Sequence, residues 1–247
     1  MNTCSNCANS YAGNFCNECG QKNNSGRIYF RELAHDFFSN FFTLETPVYR
    51  TIKFLTLKPG NVARDFIFGK RKTYYRPVQY FILGVAFYLL IRAILGFNPI
   101  DNQFRAMGKE MPPPHVMSSI PMQASSFMAK NLNLLLFIFV FIFSAFSRLF
   151  FRKSGFNYIE NVVFGFYSIG HYIFLSTFII PLTFINPKLY YIVYFILIGY
   201  LTFALVSFHK TKLFSGILKG LVTIILGFTI YVMIVYTATI YTLIFIN

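Results

Sequence analysis

Residues 162–185 read VVFGFYSIGHYIFLSTFIIPLTFI, without one Asp, Glu, Lys or Arg. A bilayer core of about 30 Å needs roughly 20 predominantly apolar residues in a helix. Only helices and closed barrels satisfy the backbone polar groups at that depth. The stretch therefore predicts a transmembrane helix, with Pro181 near its exit, where a kink or a stop is tolerated.

Four further apolar stretches lie around it, at about 78–97, 132–147, 189–208 and 221–246. Hydrophobic residues make up 55% of the 247 and charged ones 12%, and the mean hydropathy is +0.53. A water-soluble domain of that composition would lack the polar surface to cover itself. The expected fold is an all-α integral membrane protein with about five transmembrane helices, a bundle over 78–247. Arg92 lies near one end of the first span, from which it can reach the headgroups. Asn186, Pro187 and Lys188 alone join the third and fourth, which predicts a tight hairpin. The polar, Cys-rich start lacks the apolar core of a cleavable leader, so none is expected.

The distribution of charge orients the bundle. Ten basic residues (Lys70, Arg71, Lys72, Arg76, Arg148, Arg152, Lys153, Lys210, Lys212 and Lys219) fall beside the spans on one side, and four (Arg105, Lys109, Lys130 and Lys188) on the other. The positive-inside rule then puts the N-terminus in the cytoplasm and the C-terminus outside. It also accounts for the net charge of +14 without nucleic acid, which is not expected as a partner. Lys70, Arg71, Lys72 and Arg76 form a basic juxtamembrane surface suited to anionic membrane lipids.

All four cysteines, Cys4, Cys7, Cys16 and Cys19, stand in two Cys-x-x-Cys pairs with eight residues between them. In a reducing cytoplasm such a set reads as a metal site. Two turns that each aim two thiolates at one point supply the four sulfurs of tetrahedral Zn2+. Residues 1–24 are therefore expected to be a zinc ribbon with a closed, structural site, in which Gly20 provides a positive φ. A redox pair would come as one motif ahead of a helix. Residues 25–77 read as an amphipathic cytoplasmic collar. Phe30, Leu33, Ala34, Phe37, Phe38, Phe41 and Phe42 recur at helical steps. Thr46-Pro47 begins a second short helix through about Leu57, and Asn61 caps a third that ends at Gly69. These pieces lie along the inner leaflet or pack against the ends of the spans.

NFCNECGQK after an upstream Cys-x-x-Cys resembles the minimal zinc ribbon that begins many bacterial membrane proteins. TPVYRTIKFLTLKPGNVARDFIFGKRKTYYRPVQYF resembles the bacterial membrane family known as domain of unknown function 3667. The residues that carry the likeness are Arg50 and Thr51, Pro59 and Gly60, Gly69 to Arg71, Tyr75 and Pro77. The resemblance implies a multi-pass protein of a bacterial inner membrane and brings no activity with it.

No P-loop surrounds Gly69-Lys70, and neither a Gly-x-Ser-x-Gly elbow nor a His-Glu-x-x-His motif is present. With eight acidic residues in the chain, acid–base catalysis has few candidates. His171 is an ionisable residue inside a span and so a suspect for function. Tyr167 precedes it on the same helical face, and Glu160 stands at the mouth of that helix. The loop 98–131 holds five of the seven methionines with His115. Soft ligands of that kind suit Cu(I), but the irregular spacing favours adaptable apolar filler. The leading expectation is a non-enzymatic membrane protein whose ribbon and collar form a platform for a cytoplasmic protein partner or anionic lipid, with spans that anchor or self-associate as a homo-oligomer. Two alternatives stand beside it. One is a small transporter or channel with a polar path past His171 and Thr223, Thr229, Tyr236, Thr237 and Tyr241 of the last span; the other is a membrane enzyme acting on lipid.

Overall fold

The computed structural model of the chain describes residues 2–21 and 47–246. The Phe30–Phe42 pattern and the Thr46 cap lie outside them. Two short strands, β1 (Asn2–Thr3) and β2 (Ser10–Tyr11), pair antiparallel within the cysteine-rich segment. The α-helices among the later described residues are α1 (Pro47–Leu57), α2 (Pro59–Ile67), α3 (Pro77–Ile94), α4 (Pro99–Ala106), α5 (Pro114–Met117), α6 (Ile120–Phe150), α7 (Tyr158–Thr177), α8 (Ile180–Thr183), α9 (Ile192–His209) and α10 (Leu213–Ile246). Five segments among the described residues are long and apolar enough to cross a membrane: Pro77–Ile94, Ile120–Phe150, Tyr158–Thr183, Pro187–His209 and Leu213–Phe245. The all-α, five-span expectation is met.

Two helices start earlier than hydropathy suggests. Helix α6 begins at Ile120, twelve residues before the apolar run, and α10 at Leu213 rather than 221. Hydropathy registers only the part of a helix that suits lipid, while the backbone ladder continues through Ser125, Lys130 and Asn131 in one helix and Lys219 in the other. At 1.5 Å per residue, α6 is about 46 Å long, beyond the thickness of a bilayer core.

Helix α7 is the axis of the bundle. In its span 83% of the apolar window is buried, against 39% at most in the other four. It packs against α1, α2, α3, α6 and α9. The seam with α3 is a backbone approach at paired glycines. A Cβ on Gly170 would lie 2.9 Å from the Phe81 Cα, and one on Gly84 would lie 2.8 Å from the Gly170 carbonyl oxygen. Phe166 fills the adjoining layer against Phe81, Phe137 and Phe141. On the opposite side Phe164 stacks on Phe208 with ring centroids 4.3 Å apart.

The break between α1 and α2 follows from Pro59. Having no N–H, it cannot serve the carbonyl of Leu55, four residues earlier. The Tyr200 hydroxyl of α9 donates to that carbonyl at 3.2 Å instead. Pro59 also opens α2 with Lys58 as its N-cap, which corrects the expectation for Asn61. Because Pro59 already occupies the first helical position, Asn61 lies inside the helix, where its side chain accepts from Arg64. The same guanidinium donates to the carbonyls of Ser207 and Phe208 at the end of α9, groups that a helix terminus leaves unpaired. Arg92, at the end of α3, likewise donates to the carbonyls of Phe97 and Lys130.

Gly170→Leu is expected to cost about 1–3 kcal/mol through overpacking of the α3–α7 seam. The same change at Gly199, where an added Cβ meets nothing within 4 Å, is expected to be near neutral. Thermal unfolding of the two variants in detergent distinguishes them, and equal midpoints would contradict the seam.

Candidate functional site

The two Cys-x-x-Cys turns are built alike. Cys4 N–H donates to the Asn9 carbonyl at 2.9 Å and Cys16 N–H to that of Gln21 at 2.8 Å; Ala8 and Gly20 each donate back to the carbonyl of the leading cysteine at 2.9 Å. The residue after each second cysteine is left-handed, Ala8 at φ 61° and Gly20 at φ 65°. Gly20 takes that conformation freely, whereas Ala8 does so at a cost of roughly 1–2 kcal/mol.

The Sγ atoms of Cys4 and Cys19 are 3.5 Å apart, and those of Cys7 and Cys16 are 3.6 Å apart. All four lie within 4.8 Å of one another. Thiolates at 2.3 Å from a tetrahedral zinc would stand about 3.8 Å apart, so the donor set fits one metal ion. Cys4 and Cys16 are buried and Cys7 is exposed. The backbone N–H of Cys19 works against burial, and with help from the N–H of Glu18 it draws the Cys16 thiol down to about 7. At Cys7 the Asn9 backbone N–H is outweighed by burial and the three neighbouring thiols, which push that thiol up to about 12, so one thiolate forms readily and the full set of four needs a metal's positive charge.

This knuckle is seated on the turn between α2 and α3. The Gln21 side chain donates to the Gly69 carbonyl at 2.5 Å and accepts from Arg71 N–H at 3.2 Å, while the Thr73 hydroxyl donates to the Asn6 side chain at 2.7 Å. The turn is held from below as well. The Thr51 hydroxyl donates to the Pro47 carbonyl and accepts from Tyr75 N–H at 2.9 Å, and the Tyr167 hydroxyl donates to the Tyr75 carbonyl at 2.6 Å. Of the four basic residues expected to face lipid, Lys70 pairs with Asp65 at 3.3 Å, Lys72 is exposed, and Arg71 and Arg76 are half-buried.

His171 is completely buried in α7. Its Nδ1 lies 2.7 Å from the Tyr80 hydroxyl and its Nε2 lies 3.0 Å from the Thr56 hydroxyl. Thr56 spends its proton on the Ile52 carbonyl at 2.9 Å, so its oxygen accepts from His171. These roles assign the proton to Nε2 and make Tyr80 the donor to Nδ1, a neutral ring with both nitrogens satisfied. Tyr167 reaches the turn rather than His171, and Glu160 closes a capping box with Asn157 at the start of α7. A cavity of about 200 Å³ beside His171 is lined by Ile52, Tyr80, Leu83, Gly84, Phe87 and Phe174. In α10, Thr229, Thr237 and Tyr241 are on the exposed face, and Thr223 is buried with its hydroxyl on the Lys219 carbonyl.

A second buried histidine was not foreseen. His209 Nε2 lies 2.9 Å from the Ser147 hydroxyl and Nδ1 2.8 Å from that of Ser154. Ser147 in turn donates to the Asn161 side chain at 2.7 Å. Phe151 stacks on the imidazole at 4.3 Å. The network ties the ends of α6, α7 and α9 together through residues that are individually unremarked in the sequence.

Residues 46–89 match the model of a family described as Protein of unknown function (DUF3667). No curated protein and no solved structure matches the chain. The DUF3667 stretch comprises α1, α2, the turn and the first two-thirds of α3. The motif residues within it have structural tasks: Thr51 latches Tyr75, Pro59 and Gly60 open α2, Gly69 accepts from Gln21, and Pro77 opens α3. At Gly60 a Cβ would fall 2.3 Å from the backbone of Phe208, so α2 can seat on α9 only with glycine there. The knuckle precedes the DUF3667 match and docks on it.

Tyr80→Phe leaves His171 Nδ1 without a donor, and His171→Leu leaves Tyr80 and Thr56 without their partner. Each change is expected to destabilise by about 1–3 kcal/mol. The double variant is expected to lose less than the two singles together, as measured by denaturation in detergent; strict additivity would refute the pairing.

Proposed function

We propose that the chain is a non-enzymatic protein of a bacterial inner membrane, with its N-terminus in the cytoplasm, whose zinc-bound knuckle and underlying helices form a docking platform for a protein partner or anionic lipid. The observation that carries this reading is the seating of the knuckle on the turn 69–73 through Gln21 and Asn6, with Phe15 of the knuckle left 61% exposed. A Cys4 set with four protein ligands leaves no open coordination position for chemistry. Zinc there folds a small segment that lacks a large apolar core. An exposed aromatic on a rigid support is the kind of anchor that protein interfaces use.

Elemental analysis of the reduced, detergent-purified protein should find about one zinc per chain, lost in Cys16→Ser/Cys19→Ser while the helical signal is retained. A photo-crosslinkable phenylalanine at position 15 should then give one discrete protein adduct in cells that the metal-free variant lacks. The absence of any adduct, or the same adduct without metal, would overturn the partner reading. Orientation is tested separately in a bacterial host. Green fluorescent protein is expected to fluoresce when fused ahead of Met1 and to stay dark when fused after Asn247.

A further inference from the structure

Beneath the knuckle lies a cleft of about 820 Å³ bounded by residues from three separate parts of the chain: Asn6 and Cys19 from the knuckle, Tyr49, Arg50 and Lys53 from α1, and Lys72 and Thr73 from the turn. Its volume is in the range of small-ligand sites. The lining carries three cationic side chains and, among the described residues, no carboxylate; it also includes the Cys19 thiol, whose sulfur belongs to the metal set. Arg50 and Lys53 are one helical step apart on the same face of α1, and Lys72 reaches the cleft from the turn. All three are exposed at its mouth. Like charges gathered around one concavity repel, and the field they focus there attracts an anion. The donor set also has a chemical preference. A guanidinium presents a planar fork and the two ammonium groups are compact point charges, a combination matched to the oxygens of a phosphate group. Tyr49 and Phe54 give the cleft an aromatic wall beside these donors.

We propose that this cleft binds a phosphate group, carried either by a lipid headgroup or by a soluble phosphoester, through Arg50, Lys53 and Lys72. The inference rests on the platform reading above and gives its anionic ligand a defined seat. Lys70 of the same turn is paired with Asp65, whereas Arg50, Lys53 and Lys72 line one cleft without a carboxylate among its described lining residues. Because Asn6 forms part of the wall, the cleft is complete only when the knuckle is docked.

The test uses the full, metal-loaded chain in detergent. One arm compares retention of phosphatidylglycerol with that of phosphatidylcholine by native mass spectrometry, and the other measures the thermal shift given by glycerol 3-phosphate. Each is run on wild type, on Arg50→Gln/Lys53→Gln/Lys72→Gln, and on the charge-matched control Arg148→Gln/Lys153→Gln/Lys212→Gln. The cleft triple is expected to bind about tenfold or more weakly, with the control unchanged; the single reversal Lys53→Glu at an exposed position repeats the effect without threatening the fold. Binding of phosphatidylglycerol alone identifies a lipid source, and binding of glycerol 3-phosphate identifies a soluble one. Equal losses in the two triples, or no binding in either arm, overturn the proposal. A chain that binds phosphate here yet yields no adduct at position 15 keeps the cleft and loses the protein platform.

Discussion

Pro59 deprives the Leu55 carbonyl of its helical partner, and the Tyr200 hydroxyl supplies the replacement. Much of the layer formed by α1, α2 and the following turn depends on repairs of this kind. Where α1, α2 and the following turn depart from regular helix, backbone groups come free beside an apolar bundle, and an unpaired group there costs a few kcal/mol. Side chains from the spans provide the missing bonds, Tyr200 to Leu55 and Tyr167 to Tyr75, and Arg64 of α2 returns the service at the end of α9. The tyrosines are suited to this because each combines a ring that packs among Phe residues with a hydroxyl that reaches the backbone. The position of the turn is therefore fixed by α7 and α9, and the knuckle inherits that position through Gln21.

The hierarchy explains why α7 can be so fully buried while carrying His171, Tyr167 and Asn161. Each of these polar groups has a partner fixed by another element, so none is left in an apolar surrounding without a hydrogen bond. The His171 chain of bonds terminates on the Ile52 carbonyl, which has no proton to pass on. As it stands, this arrangement holds α1 against α3 and α7. The His209 network does the corresponding work at the ends of α6, α7 and α9, with one hydroxyl on each side of the ring.

How far this was legible in the sequence depended on the range of each signal. Five spans were visible because lipid demands long apolar runs, and the metal set because two Cys-x-x-Cys turns converge by local geometry alone. Pro47 and Pro59 marked the limits of α1, since a proline constrains its own turn. The beginnings of α6 and α10 were missed because their first turns are helical without being apolar. Ala8 was missed because nothing in its side chain announces a left-handed backbone. Its equivalence to Gly20 emerges only when the two turns are superposed in register, Cys4 to Asn9 on Cys16 to Gln21.

The partners of His171 were beyond a reading of its own helix. Tyr80 and Thr56 are 91 and 115 residues away in sequence, and only the glycine-mediated approach of α3 to α7 brings the first within reach. The cationic cleft has the same origin. Arg50 and Lys53 share a helical face by local rules, but Lys72 joins them only after Thr51 has latched Tyr75 and the turn has folded back over α1. Local sequence thus specifies the parts that can hold a metal ion or are long and apolar enough to cross lipid. The sites formed between parts depend on a few backbone repairs, and the residues that make them carry no chemical signature until the chain is folded.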